Sequence, residues 1–547
     1  MLIKYDKVEL SRINCFLIEF IYNFHKKKME LIQILWADDE IDLLKPQILF
    51  LETKGYRVTP LTNGLDAVEK IKEKSFDVVF LDESMPGITG LETLARIKQY
   101  NPLIPVVMIT KNEEENIMED AIGSQIADYL IKPVKPNQIL LTLKKIIDNK
   151  RLIGEKTDQA YQQEFQKLFM TIQSINSVAE WIDVMKKLTY WELELDKSKT
   201  NNMREVFDMQ KKEANNEFTK FFAKNYIHWM NHDNEDETPI MSHSLFRKKF
   251  YQYIKQEKPT VVILIDNLRY DQWKVIQPII NEYFKLKEED AFFSILPSAT
   301  QYSRNSIFSG MTPLEISERL PQYWKNDDDE GGKNLFEFEL LQHQMKTNFK
   351  DEIKVHYSKI LHHEQGVELE NNIQNLLHNR LIVIVYNFVD MLSHARTEME
   401  VLKELASNEA AFRSIALSWF EHSSLFQILK KLMDKDINLI ITTDHGTTRV
   451  NTPSKCIGDK ATSTNIRYKA GKNLQFVDGD VFAVKKPEDA KLPKVNLSTT
   501  YIFAKNDNFL VYQNNYNHFV NYYKNSFQHG GLSLEEIVVP YAIYGKK

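Results

Sequence analysis

The sequence is poor in cysteine, and its apolar N-terminal stretch is too short for a membrane span. Only two cysteines, Cys15 and Cys456, occur among 547 residues. They cannot form a disulfide framework, and their scarcity is compatible with a reducing compartment. The stretch NCFLIEFIYNF has eleven residues, one of them a glutamate, and cannot cross a bilayer. We therefore predict a cytoplasmic protein without membrane insertion.

An excess of positive charge is also lacking. The net charge is −6, with 43% hydrophobic and 27% charged residues, so nothing suggests tight sequence-independent binding to DNA. A chain of 547 residues is too long for a single core. Because Met29 opens a more regular pattern, we interpret residues 1–28 as a tail or start artefact rather than a membrane-surface helix. We predict an α/β domain over 29–150, a helical connector over 151–258 and a second α/β domain over 259–547.

Residues 29–150 alternate between apolar strands and amphipathic helices. The strand-like runs are IQILWA, YRVTPL, FDVVFLD, PVVMIT and DYLIKP, and a helical pattern follows each of them. This alternation predicts a parallel, doubly wound sheet, in which a site lies at the carboxyl ends of the strands. The polar residues at those ends are Asp38, Asp39, Asp82, Thr110 and Lys132.

These strand-end residues predict a magnesium-dependent phosphorylation site. Three converging carboxylates repel one another unless a hard cation such as Mg²⁺ neutralises them. Asp82 then serves as the nucleophile for a phosphoryl group, Lys132 pairs with the resulting charge, and Thr110 hydrogen-bonds a phosphoryl oxygen. Acids that merely solvate strand ends would explain one such position rather than the whole set.

The same stretch resembles a response-regulator receiver domain. The resemblance rests on DDE, LDESMPG, MIT and YLIKP and covers roughly residues 31–150. It implies that a sensor histidine kinase phosphorylates Asp82 and that Tyr129 changes rotamer on activation. The Mg²⁺ ligands that it implies are Asp38, Asp39, Asp82 and the carbonyl of Ser84.

Residues 151–258 contain little glycine or proline and show helical patterns. No glycine occurs between Gly154 and Gly310. Ser177 and Glu180 have the spacing of a capping box at a helix start. A helical bundle here would transmit the phosphorylation state or form a dimer interface. Two apolar stripes, which we interpret as core, consist of Phe165, Leu168, Phe169, Ile172 and Ile175, and of Phe218, Phe221, Phe222, Tyr226 and Trp229.

Residues 259–547 again contain Val- and Ile-rich runs separated by helical stretches. They predict a mostly parallel sheet with both faces covered. The run IVIVYNFVDMLSHAR reads as a buried strand that stops at Asp390 and opens into a loop. The acids, imidazoles and hydroxyl that follow such runs are Asp266, Thr300, Asp390, His394, Asp444, His445 and His529.

These side chains are suited to metal binding. Taken singly, Asp390 would cap a helix and His394 would be a surface histidine. Together the aspartates, histidines and threonine are enough for two sites of a borderline divalent ion, and we expect two Zn²⁺, with Mn²⁺ as the alternative. Two metals roughly 3.5–4 Å apart stabilise both the attacking and the leaving oxygen of an in-line displacement at phosphorus.

This part of the chain resembles the alkaline phosphatase superfamily and, within it, the PglZ domain. The motifs are LIDNLRYDQW, PSATQYSRNSIFSG, DMLSH, TTDHG and HGGLSLEE. Thr300 would be the nucleophile, which is similar to the nucleotide phosphodiesterase branch. The resemblance implies one metal held by Asp390, His394 and His529, and a second held by Asp266, Thr300, Asp444 and His445.

Cationic and amide side chains near these motifs are candidates for substrate binding. Arg304 and Asn305 follow Thr300, and Arg467 and Lys469 belong to a basic segment after DHG. Such cations would attract a polyanionic substrate. A solvated lysine-rich loop is the alternative interpretation of that segment.

The two domains together resemble PorX-type response regulators, which are associated with type IX secretion. We therefore predict a response regulator whose output is a zinc-dependent phosphodiesterase acting on nucleotide or oligonucleotide phosphodiesters, with a homodimer formed on phosphorylation. The alternative is a phosphorylation-switched binding module for a sigma factor or a secretion component, with structural metals. Structural zinc sites are usually rich in cysteine, which neither predicted site uses, so catalysis is favoured.

Overall fold

The chain divides into two compact units between Lys156 and Thr157. Each unit is described by itself. The predicted tail of residues 1–28 and most of the predicted helix before DYLIKP lie outside the described residues. The computed structural model describes residues 32–101, 104–111, 126–197, 203–232, 238–327, 329–398, 400–406, 408–459, 462–494, 496 and 498–547.

The first unit is built on a parallel sheet. Its strands are β1 (Ile32–Ala37), β2 (Tyr56–Leu61), β3 (Val78–Asp82), β4 (Val106–Thr110) and β5 (Asp128–Ile131). They pair in the order β2-β1-β3-β4-β5, and every pairing is parallel. Strands β3 and β4 are buried at every position, as expected for central strands covered on both faces. The predicted doubly wound sheet is confirmed.

Helices cover both faces of this sheet. They are α1 (Lys45–Thr53), which follows a 3-10 turn at Ile41–Leu44, and α2 (Gly64–Glu73), α3 (Gly90–Tyr100) and α4 (Pro136–Leu143). Alternate residues of β1 enter two separate cores. Trp36 packs with residues of α1 and α4, and Leu35 packs with residues of α2 and α3. This alternation follows from the two-residue period of a strand.

The second unit contains a larger sheet and several small ones. Its strands are β6 (Thr260–Ile265), β7 (Phe284–Phe293), β8 (Val355–Ile360), β9 (Leu381–Tyr386), β10 (Asn438–Thr442), β11 (Thr448–Arg449), β12 (Thr452–Ile457), β13 (Tyr468–Gly471), β14 (Gln475–Phe476), β15 (Val481–Val484), β16 (Thr500–Ala504), β17 (Asn508–Tyr512), β18 (Phe527–Gln528) and β19 (Val538–Lys546). The larger sheet has the order β7-β19-β10-β6-β9-β8. Strands β6, β8, β9 and β10 are parallel, whereas β19 is antiparallel to both of its neighbours. This matches the predicted mostly parallel sheet.

Helices surround the larger sheet. They are α5 (Asn149–Ser174), in which the division between the units falls, and α6 (Val178–Lys197), α7 (Arg204–Asn231), α8 (Tyr251–Ile254), α9 (Tyr270–Tyr283), α10 (Thr300–Ser309), α11 (Pro313–Arg319), α12 (Glu337–Asn348), α13 (His363–Asn372), α14 (Phe388–Glu398), α15 (Glu400–Leu405), α16 (Glu409–His422), α17 (Ser424–Leu432), α18 (Tyr516–Tyr523) and α19 (Leu534–Ile537). In β6, Val262 and Leu264 enter one apolar core, while Val261, Ile263 and Ile265 enter the other. Both faces of the sheet are therefore covered. Among the described residues, no helix combines the length and apolar character that a bilayer crossing requires.

The connector helices α6 and α7 share an apolar core with the larger sheet. The rings of Phe218 and Phe222 in α7 lie 5.8 and 5.9 Å, between centroids, from Phe293 at the end of β7. The predicted capping box is present before α6, since Glu180 N donates to Ser177 Oγ at 3.3 Å and Ser177 N donates to Glu180 Oε2 at 3.1 Å. The aromatic stripe of α7 is core, as predicted, whereas Phe169 of the first stripe is 41% exposed and the prediction is wrong there, because it lies on the outer face of α5.

The run IVIVYNFVDMLSHAR forms a strand and a helix, and the predicted strand up to Asp390 is wrong. Strand β9 ends at Tyr386, and α14 begins at Phe388. The apolar run extends beyond the end of the strand because Val389, in the first turn of the helix, is also fully buried. Asp390 and His394 therefore lie one helical turn apart on α14, where side chains four residues apart share a face.

Replacement of Phe218 by alanine is expected to destabilise the whole second unit. The ring is fully buried and packs against Trp181, Phe222 and Phe293, and loss of such a ring typically costs about 3–5 kcal/mol. Chemical denaturation followed by tryptophan fluorescence measures the change. The control Met170→Ala, at a side chain that is 71% exposed, is expected to alter the free energy of unfolding by less than about 0.5 kcal/mol. A Phe218→Ala protein of normal stability would contradict a shared core.

Candidate functional sites

The first unit gathers carboxylates at the carboxyl ends of its central strands. Asp38 follows β1, and Asp82 is the last residue of β3. Carboxylate oxygens of Asp38, Asp39 and Asp82 all lie within 4.8 Å of one another. Lys132 places its Nζ 3.0 Å from an oxygen of Asp38 and 3.0 Å from an oxygen of Asp82. A single lysine among three carboxylates leaves a negative site that suits a hard cation such as Mg²⁺.

Burial of this cluster alters the proton affinity of its central acid. Burial, reinforced by the neighbouring charges of Asp38 and Asp39, raises the pKa of Asp82 to about 6, although Lys132 acts in the opposite direction. The carboxylate form thus depends on nearby positive charge. Chemistry at Asp82 is therefore coupled to whatever cations the cluster holds.

The other predicted receiver residues lie on neighbouring segments. Thr110 ends β4 beside β3, and its carbonyl accepts a hydrogen bond from the Lys132 N–H at 2.8 Å. Ser84 follows Asp82 by two residues on the loop after β3. Tyr129, on the edge strand β5, is 41% exposed. The structure therefore brings Thr110 and Lys132 to the acidic cluster, while the rotamer change of Tyr129 stays a prediction.

In the second unit, Asp266, Asp444 and His445 form a buried group at the ends of β6 and β10. One ligand atom from each lies within 4.8 Å of the others. His445 Nε2 is 3.8 Å from Asp266 Oδ1 and 3.7 Å from Asp444 Oδ2. Thr300, the first residue of α10, places its Oγ1 3.1 Å from His445 Nε2 and 3.5 Å from Asp266 Oδ1.

A second group consists of Asp390, His394 and His529, again with ligand atoms within 4.8 Å of one another. The Nε2 atoms of His394 and His529 each lie 3.5 Å from the same oxygen of Asp390. His394 is 59% exposed at its side chain, so this group opens to solvent. The helix α14 is responsible for the geometry, because it sets Asp390 and His394 one turn apart.

The two groups adjoin. The rings of His445 and His529 stack with their centroids 4.3 Å apart. Asn267 connects the groups, since its N–H donates to Asp444 Oδ1 at 3.2 Å and its Nδ2 donates to Asp390 Oδ1 at 3.2 Å. Its φ of 62° is in the left-handed region, which asparagine tolerates better than most residues. Sequence analysis missed Asn267, although its position directly after Asp266 in LIDN was a usable signal.

Protonation states in these groups follow from burial and from Arg304. Burial alone would raise the pKa of Asp444, but the Arg304 guanidinium and His445 lower it to about 2. Burial raises the pKa of Asp266 well above its usual value despite Arg304. Burial lowers the pKa of His529 to about 3, which favours the neutral imidazole that binds metals.

Arg304 is placed to orient the carboxylates, and the predicted substrate contact is corrected. It is fully buried on α10, one turn after Thr300. Its guanidinium contacts Asp266 Oδ2, lies 2.9 Å from Asp444 Oδ2 and donates to Glu337 Oε1 at 3.2 Å. Asp266 thus directs Oδ1 toward Thr300 and Oδ2 toward Arg304. Glu337, which sequence analysis missed, comes from the distant helix α12 and has no local sequence signal.

The other residues predicted to bind substrate are also internal. Asn305 is 1% exposed and donates to the Lys333 carbonyl at 3.3 Å. Arg467 is fully buried and donates from Nε to Glu536 Oε1 at 3.0 Å. Lys469 is 1% exposed and donates to the Ser463 carbonyl at 3.0 Å. A substrate could reach them only by displacing these internal partners, so their predicted contacts with substrate are corrected as well.

The donor atoms of both groups fit a borderline divalent ion. Each group combines imidazole nitrogen with carboxylate oxygen, and neither uses cysteine. The Nε2 atoms of His394 and His529 converge on one oxygen of Asp390, and the hydroxyl of Thr300 lies beside His445. This pattern is typical of catalytic zinc or manganese sites rather than closed structural ones.

The chain matches three family descriptions in sequence order. Residues 34–144 match the response regulator receiver domain, and residues 151–230 match the PorX response regulator linker domain. Residues 245–544, more than half of the chain, match the BREX system PglZ alkaline phosphatase-like domain.

Similar curated proteins share the first unit. The transcriptional regulatory protein ZraR of Klebsiella oxytoca is 40% identical over 123 residues, which is 22% of this chain and 28% of ZraR. ResD of Bacillus subtilis is 30% identical over 115 residues, 21% of this chain and 48% of ResD. This chain therefore spans less than half of these relatives. A solved CheY-like receiver domain from Methanospirillum hungatei is 25% identical, covers 22% of this chain and 96% of its own, and has a TM-score of 0.21.

Together the parallel sheet with its acidic cluster, the helical linker and the paired Asp–His groups agree with these matches. The receiver domain implies a cognate sensor kinase as partner. The chain belongs to the PglZ alkaline phosphatase-like family and has the domain arrangement of the PorX-type response regulators.

Proposed function

We propose that this response regulator has a zinc-dependent phosphodiesterase as its output, acting on nucleotide or oligonucleotide phosphodiesters. The observation that carries the proposal is the convergence of two Asp–His groups, with His445 and His529 stacked at 4.3 Å and Thr300 Oγ1 3.1 Å from His445. Seven side chains from distant segments meet in one place. A hydroxyl beside two adjacent divalent-ion sites is the arrangement that phosphoryl transfer requires.

Thr300 is the nucleophile in the proposed reaction. Divalent ions held by Asp266, Asp444 and His445 and by Asp390, His394 and His529 would lower the pKa of the Thr300 hydroxyl and stabilise negative charge on the attacking and leaving oxygens. The Thr300 hydroxyl loses its proton to water, Oγ1 forms a bond to phosphorus, and the bond from phosphorus to the leaving oxygen breaks as that oxygen takes a proton from water to give the alcohol. A water molecule then loses a proton and bonds to phosphorus, the bond from phosphorus to Oγ1 breaks, Thr300 regains a proton, and a phosphomonoester is released.

The helix that carries Thr300 also favours this step. Thr300 is the first residue of α10, which spans Thr300–Ser309, so the positive end of the helix dipole faces a phosphoryl group bound there. Arg304 on the same helix holds Asp266 and Asp444 in place from behind. The nucleophile and the carboxylates are therefore positioned by one rigid element.

We also propose that a sensor histidine kinase phosphorylates Asp82 with Mg²⁺ held by Asp38, Asp39, Asp82 and the Ser84 carbonyl. Phosphorylation would favour a homodimer, and the protein would act in the cytoplasm in the control of type IX secretion through a sigma factor or a secretion component. The support is the acidic cluster with Lys132 at 3.0 Å from two carboxylates and the match to the PorX linker domain.

Thr300→Val is expected to reduce turnover of bis(p-nitrophenyl) phosphate by at least about a thousandfold, since it removes the attacking oxygen of a unit that acts together. Release of p-nitrophenolate measures the rate. Thr300→Ser, which keeps a hydroxyl at this position, is expected to retain a measurable rate. Undiminished turnover by purified Thr300→Val would refute the assigned nucleophile.

Removal of the metal is expected to abolish the same turnover. Treatment with EDTA followed by dialysis should give an inactive protein, and added Zn²⁺ or Mn²⁺ should restore the rate, because the proposed reaction needs the ions to activate Thr300 and to stabilise the leaving oxygen. Elemental analysis should find about two metal ions per chain. A protein that keeps its zinc but hydrolyses no diester would favour the alternative, a binding module with structural metals.

Asp82→Asn is expected to prevent labelling by a small-molecule phosphodonor, because the amide oxygen is a poor nucleophile. Transfer of the phosphoryl group from acetyl phosphate, with release of acetate, is followed by phosphate-affinity electrophoresis. Asp77→Asn, at a residue on the loop before β3, is the matched control and should be labelled like the wild type. Light scattering of the wild type and of Asp82→Asn, each with the phosphodonor, tests dimer formation. An unchanged mass of the labelled wild type would count against a dimer formed on phosphorylation.

A further inference from the structure

A cluster of buried charged side chains lies beside the segments that carry Asp266, His445 and His529. The proposed mechanism does not use this cluster. Carboxylate oxygens of Glu192, Asp271 and Glu409 lie within 4.8 Å of one another. Arginines already occupy the space among them, since Arg269 is 2.6 Å from Glu409 and Arg413 is 2.6 Å from Asp271. The cluster is therefore an ion-pair network and not a further metal site.

Arg269 is held firmly in this network. Its side chain is 1% exposed. Nε donates to Asp271 Oδ1 at 2.8 Å and Nη2 donates to Asp271 Oδ2 at 2.7 Å, which is a bidentate pair. Nη1 lies 2.6 Å from Glu409 Oε2. A planar guanidinium is the only side-chain cation that can make all three contacts in one plane.

The same arginine packs against the three segments that carry Asp266, His445 and His529, which are called the metal-binding loops here. It follows Asp266 by three residues. Its Cγ lies 3.6 Å from the position that a Cβ on Gly446 would take, and Gly446 adjoins one of the stacked ligand histidines. Its guanidinium carbon is 5.6 Å from the ring centroid of Phe527, two residues before the other stacked histidine. Arg449 and Phe527 pair across β11 and β18, which joins the last two loops.

The network continues into the linker helices. Arg413 Nη1 lies 3.0 Å from Glu192 Oε1 on α6. Lys211 on α7 lies 3.0 Å from Glu192 Oε2 and 3.2 Å from Glu535 Oε1. The backbone carbonyl of Glu535 would be 2.0 Å from a Cβ on Gly446, so this position is tightly packed against the ligand loop. Charges on α6 and α7 thus support the metal-binding loops from behind.

Stability alone does not account for such a network. Buried ion pairs lose their hydration, and well-packed apolar residues of similar size are often as stabilising or more so. Besides any stabilisation, a fully buried arginine in a bidentate pair holds its neighbouring side chains in one fixed geometry. We propose that Arg269 is a positioning residue that seats the three metal-binding loops against one another, and that Glu192 of α6 completes its support.

The test measures zinc affinity in the full-length protein by competition with a chromophoric chelator. Arg269→Lys keeps the charge and loses the fork, so zinc affinity is expected to fall about 10- to 100-fold, as for other residues that orient ligands. Glu192→Gln is expected to lower it less. The double variant should lose less than the product of the single losses, because both act through one network.

Two further variants make the result decisive. Arg380→Lys, whose guanidinium donates to the Ile254 carbonyl at the opposite ends of the strands, is the matched control and should keep wild-type zinc affinity. Where Arg269→Lys fails to fold, Glu409→Gln removes the negative charge that pairs with Nη1 of Arg269 and is expected to weaken zinc binding in the same direction. Wild-type zinc affinity in folded Arg269→Lys, or in Glu409→Gln, would overturn the inference.

The inference rests on the proposed metal centre, and the two can fail separately. If the wild type binds zinc but hydrolyses no diester, the proposed function fails, and the zinc affinities of the variants still decide the role of Arg269. If the wild type binds no zinc, both the metal centre and this inference are overturned.

Discussion

The parallel pairing of β6 with β9 and β10 is the constraint on which the second unit depends. Parallel strands end at the same edge of a sheet, and here the segments that follow them carry Asp266, Asp390 and Asp444. Carboxylates at such distances repel one another strongly when they are buried. Arg304 offsets part of this repulsion from inside the protein, and the remaining charge faces the imidazoles and Thr300. In the first unit, the ammonium group of Lys132 offsets part of the repulsion between Asp38 and Asp82 at the ends of their strands.

The two acidic centres differ in what surrounds them. In the receiver cluster Asp39 is exposed, and oxygen donors dominate, as a hard cation prefers. In the second unit imidazoles adjoin the carboxylates, and burial favours the neutral form of His529. Both sites are acidic, so their net charge does not distinguish them. They differ in their ligand atoms, which are carboxylate oxygens in the first and carboxylate oxygens with imidazole nitrogens in the second. By donor chemistry, the first cluster suits a hard cation and the paired Asp–His groups suit a borderline one.

The helical linker is part of the second unit and does not act as a flexible spacer within it. Phe218 and Phe222 pack on β7, and Glu192 and Lys211 enter the buried network beside Arg269. Apolar packing and ion pairing thus tie α6 and α7 to the sheet at two places. The charged side chains of α6 and α7 therefore contact the residues that support the segments of Asp266, His445 and His529.

The sequence by itself predicted the parallel strands of both larger sheets, the capping box before α6 and the seven side chains that the structure gathers, because strand periods, cap spacing and residue chemistry are local properties. Only the tertiary structure decided what Arg304, Arg467 and Lys469 do, since a cation has the same appearance in sequence whether it faces water or a buried carboxylate. It also placed Asp390 and His394 on α14, because an apolar run does not reveal where a strand gives way to a helix. Glu337 and the partners of Arg269 come from segments far apart in the chain, and their meeting depends on packing alone.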